Sequence, residues 1–328
     1  MSKKINVTTI ITFLFATFIL GFNVNYGSSP EAIEKSFSVE KGGTLSIDSE
    51  LGAIRVNSST ANTVEVKVIP ESGWLSGSKN IFDNFEVNFA QTGNNVSVTG
   101  KFRNPSHKNW NGPGLRYEVT VPYQYNVDLK TSGGSISVGK LQGAAAAKTS
   151  GGSLQFGEID GEVTGKTSGG SITVDGCAKN TNVNTSGGSI NLGAIGGNVD
   201  ANTSGGSIKI EKAGGNVIAA TSGGSINVGE VMGTIDARTS GGSVTAKIKK
   251  QPENACRLKT SGGSVTCYLP DNAAVDLDAE TSSGRVESDF DVTVKGKMEE
   301  HSLLGKINGG GPELLLRTSG GNIRLLKL

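Results

Sequence analysis

Between residues 129 and 282 the apolar positions come in pairs two residues apart. Ile136 and Val138 are followed by Leu154 and Phe156, Ile172 and Val174, Ile190 and Leu192, Ile208 and Ile210, and Ile226 and Val228. A second series runs between them: Ala145 and Ala147, Val163 and Gly165, Thr181 and Val183, Val199 and Ala201, Val217 and Ala219. A period of two predicts strands with one buried face, not helices. The whole pattern returns every 18 residues, and each return is marked by TSGG, with its Thr at 131, 149, 167, 185, 203, 221 and 239. Two 21-residue steps lead to Thr260 and to Thr281, where the phrase is TSSG, and a last TSGG begins at Thr318. Each repeat predicts two short strands joined by two corners.

A chain that presents the same inward face at each repeat buries it most economically by coiling, so that equivalent strands stack about 4.8 Å apart. One coil is too thin to hold a core alone, and its stability has to come from pairing with its neighbours. The expected fold is all-β, a parallel β-helix (β-solenoid) of about ten coils with mostly 18-residue repeats. Counting by two from the inward alanines places the Thr of TSGG inward as well, where its hydroxyl can bond backbone at the bend. The Gly pair is expected to supply positive φ for a tight corner. As chemistry the phrase is empty. It lacks the Lys of a phosphate-binding loop, the G-x-G-x-x-G of a dinucleotide fold and the Asp of a Ca²⁺ β-roll.

The flanks are less regular. Residues 1–27 read as a signal peptide: Lys3 and Lys4, an apolar run from Ile10 to Phe22, then small residues from Gly27. An uncleaved anchor is the alternative, and the one expected route to a membrane. Either implies export, to the cell surface or to the periplasm or cell envelope. Residues 28–128 are expected to form a strand-rich cap and the first irregular coils, with "LGAIRV" at 51–56 a degenerate coil. Trp74, Trp110 and His107 fall in its loosest part, where the rings either cover the first coil or mark a binding edge. Residues 129–282 are the regular repeats and 283–328 irregular C-terminal coils. The chain stops at Leu328, directly after its last strand. Unless the 283–312 excursion covers it, that strand is an open edge, which predicts end-to-end self-association.

Three stretches, "FSVEKGGTLSIDSELGAIRV", "LRYEVTVPYQYNVDLKTSGGSISV" and "LLGKINGGGPELLLRTSGGNIRL", carry a resemblance. They resemble the bacterial putative-adhesin family of exported β-helix proteins, related to the head domains of some autotransporter adhesins. The resemblance spans roughly residues 37 to 328. It implies a right-handed winding and an adhesive or structural role, and it brings no catalytic or ligand residues with it.

Charge adds one candidate. With 31 Lys and Arg against 30 Asp and Glu, nothing in bulk invites nucleic acid. Lys130, Lys148 and Lys166, however, precede the Thr in three successive repeats, where outward like charges stack and repel. A cell-surface glycan or other polyanion would relieve that repulsion; a solvated face is the plainer reading. Arg257 with Asp278, and Lys259 with Glu280, stand 21 residues apart and predict cross-coil ion pairs. Cys256 and Cys267 flank the Thr260 corner and are either a disulfide or two core thiols; Cys177 replaces Ile195 of the next repeat. Glu158, Asp160 and Glu162 crowd one corner without a basic partner or an aromatic sugar platform. Neither a metal site nor a cofactor is expected, nor catalysis. The reading is an exported scaffold, an adhesin or a cell-surface structural protein. The alternative is a periplasmic envelope protein that binds polyanions through the lysine stripe.

Overall fold

The computed structural model describes residues 31–71, 80–104, 114–294 and 299–328. The signal segment, Trp74, His107 and Trp110 lie outside these residues. The described residues form two long sheets, of 14 and 15 strands, and one short 3₁₀ turn at Ile81–Asp83.

Each 18-residue repeat supplies one rung. The strand after TSGG, such as Ile172–Cys177, joins the first sheet, and the shorter strand before the next Thr, such as Thr181–Asn184, joins the second. Equivalent strands pair in parallel with a register equal to the repeat length. Ile172 stands opposite both Leu154 and Ile190, and Val183 opposite both Gly165 and Ala201. The residues at every second position therefore stack into buried columns, as the hydrophobic period requires. Where one column takes a large residue its neighbour shrinks. Phe156 is matched by Gly165, at which a Cβ would stand 3.3 Å from the ring.

The corners differ from expectation in their physical basis. Among the described residues positive φ is confined to Gly42, Gly52, Gly93, Asn308, Gly309 and Gly310, so none of the TSGG glycines needs it. Glycine is required instead by close approach. A Cβ on Gly170, Gly188 or Gly206 would lie 2.1–2.2 Å from the carbonyl oxygen of the equivalent glycine one rung back. That carbonyl is also the acceptor for the inward Thr. Thr185 donates to Gly170 O at 2.7 Å, Thr203 to Gly188 O at 2.8 Å and Thr221 to Gly206 O at 2.7 Å. The second Ser of the phrase adds a parallel ladder, in which Ser189 N donates to Ser171 Oγ and Ser207 N to Ser189 Oγ. TSGGS is thus a connector between rungs.

Neither end of the rod follows chain order. The rung formed by Thr44–Ser49 and Ala53–Ser59 lies between Asn126–Thr131 and Ile136–Val138 on one side and Asn95–Phe102 and Gly114–Pro122 on the other. Beyond it the sheets continue with antiparallel strands, Thr63–Glu71 with Ile33–Ser38 and Phe85–Thr92 on Asn95–Phe102. Phe37 meets Phe89 at 6.4 Å and Phe85 meets Phe102 edge-on at 5.0 Å, closing that end with aromatic rings.

At the other end Glu313–Thr318 is inserted between Cys256–Lys259 and Val275–Thr281, while Ile323–Lys327 lies between Val265–Leu269 and Val286–Ser288. The strand that reaches Lys327 is therefore interior. The outermost strands are Val286–Ser288 and Val292–Val294, three residues each, and an edge that short offers little to pair with. The insertion also corrects the expected ion pairs. Leu315 and Arg317 separate Arg257 from Asp278 and Lys259 from Glu280. Arg257 instead reaches Glu313 at 3.8 Å, and Arg317 holds Asp278 at 2.6 Å and Glu280 at 3.4 Å. The 21-residue spacing identified the column correctly but not the rung that fills its middle.

Candidate functional site

The column of residues preceding each Thr lies on the outer face of the second sheet. Lys148 stands directly opposite Lys130 on one side and Lys166 on the other, as the repeat spacing requires. The three are not equivalent. Insertion of the Thr44–Ser59 rung places Asp48 opposite Lys130, and the two form an ion pair at 3.0 Å. Lys148 and Lys166 are exposed, and neither has an ion-pair partner among the described residues. The signal for this split was present in the sequence. "SELGAIRV" aligns with "TSGGSISV", which sets Asp48 against Lys130, but nothing local says which rung the N-terminal strand will join.

Past Lys166 the column continues as Asn184 and Asn202, and a shallow groove of about 400 Å³ runs beside them. Lys166, Ser186 and Ser204 line it as well. Asn184 donates its amide to Asn182 Oδ1 at 2.9 Å and Asn202 donates to Asp200 Oδ1 at 2.5 Å. Those bonds fix both side chains and leave their carbonyl oxygens as acceptors. Thr185 and Thr203 reach the groove too, but their hydroxyls are engaged with Gly170 and Gly188. The groove therefore offers an ammonium, amide oxygens and serine hydroxyls. Farther along, Arg238 is neutralised by a two-pronged contact with Asp236 at 2.7 and 2.5 Å.

Several of the acids have partners of their own. Asp160 accepts from Tyr123 at 3.5 Å, Glu162 accepts from Asn180 at 3.1 Å, and Asp276 is 3.3 Å from Lys306. His301 Nδ1 is 2.5 Å from Gly284 O. Among the described residues no three His, Cys, Asp or Glu side chains gather in a way that would hold a metal ion.

Cys177, Cys256 and Cys267 are buried thiols. Burial pushes the Cys267 thiol far above its ordinary range, with a smaller push from Cys256, and burial also raises Cys256. Both stand as free thiols on strands either side of the Thr260 corner, Cys256–Lys259 and Val265–Leu269. An alkylating maleimide should therefore modify none of the three in the native protein and all three in denaturant. A protein lighter by two hydrogens, with Cys177 alone reacting on unfolding, would establish the bridge instead.

A family model, Toastrack DUF4097, matches residues 43–326. No curated protein matches. Among solved structures, a "putative cell adhesion protein" from Clostridium sporogenes is similar at 13% identity, covering 91% of this chain and 100% of that one, with a TM-score of 0.23. A "putative adhesin" from Bacteroides fragilis gives 12% identity, 90% and 97% coverage and a TM-score of 0.29. A "putative lipid binding protein" from Parabacteroides distasonis gives 12%, 90% and 96%, and 0.36.

Proposed function

The chain belongs to the Toastrack DUF4097 family, and from that premise and the packing of its rungs we propose that it is an exported β-solenoid scaffold, an adhesin or structural protein of the cell surface. One observation carries this reading: the recurring Thr, Gly and Ser of the corners join rungs, while the outward row of the first sheet changes. The inward Thr, the second Gly and the second Ser bond or pack along the rod. The outward row Ser137, Gln155, Thr173, Asn191, Lys209 and Asn227 keeps no identity from rung to rung. Such a repeat sets length and presents varied surface. Right-handed winding, the rule for parallel crossovers, and about ten coils belong to the same reading. Purified chain in excess should block adherence of the producing cells to the surfaces they colonise. Unchanged adherence, both with the competitor and after loss of the gene, would contradict the role.

A second reading is favoured by Lys166, which lines the groove, and by its neighbour Lys148, both without an ion-pair partner among the described residues: an envelope protein that binds a polyanion or acidic glycan there. Exposed charge contacts contribute about 0.2–1 kcal/mol each, so K148S/K166S should weaken binding to an acidic polysaccharide roughly tenfold. The loss should shrink in high salt. K130S should change it little, because Asp48 already neutralises that charge. Equal losses for all three positions, measured by calorimetry, would remove the groove from the account.

A further inference from the structure

The Glu313–Lys327 rung occupies a slot whose two walls match each other. Arg257 and Asp278 face Leu315 from opposite sides, and Lys259 and Glu280 face Arg317 likewise. In the other sheet Val265 and Val286 flank Ile323. The connectors match too. Thr318 donates to Gly263 O and Thr281 donates to Gly321 O, so with the rung withdrawn Thr281 would face the acceptor that Thr318 uses. The walls therefore have a common register, opposite charges and compatible connectors, and can rest on each other when the slot is empty.

The rung follows a glycine-rich joint, which three bonds pin: Asn308 Nδ2 donates to Asp271 O and Ala273 O, and Gly311 N donates to Asp276 Oδ1. Asn308, Gly309 and Gly310 have φ of 50°, 88° and 87°, and Gly311 and Pro312 follow. Inside the slot the rung is held by buried Leu314, Leu316, Ile323 and Leu325 and by Arg317 on Asp278 and Glu280. Every one of those partners is present, in the same geometry, in any second copy of the chain.

We propose that this rung is exchanged between copies: residues 313–328 of one chain fill the slot of another, joining two rods through an arm swap. The partner is a second copy of this chain, and the recognition surface is the slot between the Thr260 and Thr281 rungs. The joint is where the exchange is controlled.

The test uses two full-length chains, one carrying Arg257→Cys and the other Leu315→Cys. These positions are opposite each other across one strand spacing, and the native thiols are buried. A single chain bearing both changes serves as control and should crosslink internally with a short bismaleimide. After mixing at high concentration through a mild urea step, the proposal expects a covalent dimer of one chain of each kind, formed by neither chain alone. Deleting Gly309 and Gly310 should raise its yield severalfold by hindering return of the arm to its own slot. Absence of the mixed dimer, while the control crosslinks to completion, overturns the proposal. Should the deletion variant fail to fold, the mixture with the natural joint still decides.

Discussion

Gly206→Ala will lower the stability of the rod by roughly 3 kcal/mol, whereas Gly133→Ala will change it by no more than about 0.5 kcal/mol. Both are TSGG glycines in neighbouring places of the same phrase. A Cβ at Gly133 would meet nothing within 4 Å, and its φ is not positive. One on Gly206 would be 2.2 Å from Gly188 O, the carbonyl that accepts from Thr203. The clash is with backbone, which cannot rotate away. Relief means spreading two rungs, which breaks the Thr203 bond and weakens the strand pairs on either side. Urea denaturation of the two variants checks this directly. Similar midpoints would mean that the phrase is kept for turn geometry and not for close approach.

Leu316→Ala is expected to destabilise by about 3 kcal/mol, the range for a leucine removed from a closed core. Its neighbours explain why. Leu316 is fully buried and lies opposite Leu258 on one side and Ala279 on the other. Leu315 points outward in the same strand, and Leu315→Ala should cost less than about 0.5 kcal/mol. Were Glu313–Lys327 an edge rung, as the order of the sequence suggests, both substitutions would be mild. Amide exchange gives a second readout: the Leu316 and Ile323 amides should be protected as strongly as those of Ile190 and Ile208.

Much of this architecture is legible in the sequence. Strands, inward columns and the Thr direction follow from a period of two inside a period of 18, because stacking identical faces leaves few other arrangements. The lysine column was legible for the same reason. What local pattern could not convey was which rung enters which gap. Thr44–Ser59 and Glu313–Lys327 look like ordinary rungs in sequence, yet both are interior, and their positions depend on pairings such as Leu45 with Val96 and Cys256 with Leu314, far apart in sequence. That one fact reassigns Arg257 and Asp278, neutralises Lys130 and removes the open edge at Lys327. The groove at Asn184 and Asn202 went unread for a different reason. Its polar groups are common surface residues, and only the side-chain bonds to Asn182 and Asp200 show which of their atoms stay free.

Ser240 gives a direct measurement of whether the rod is exposed on the cell surface. It lies on an exposed corner away from the groove, and the native thiols are buried, so Ser240→Cys supplies one reactive position on the folded rod. A membrane-impermeant maleimide applied to intact producing cells should label it as fully as it does after the outer barrier is opened. Labelling that appears only after opening would place the chain inside the envelope and contradict the surface role.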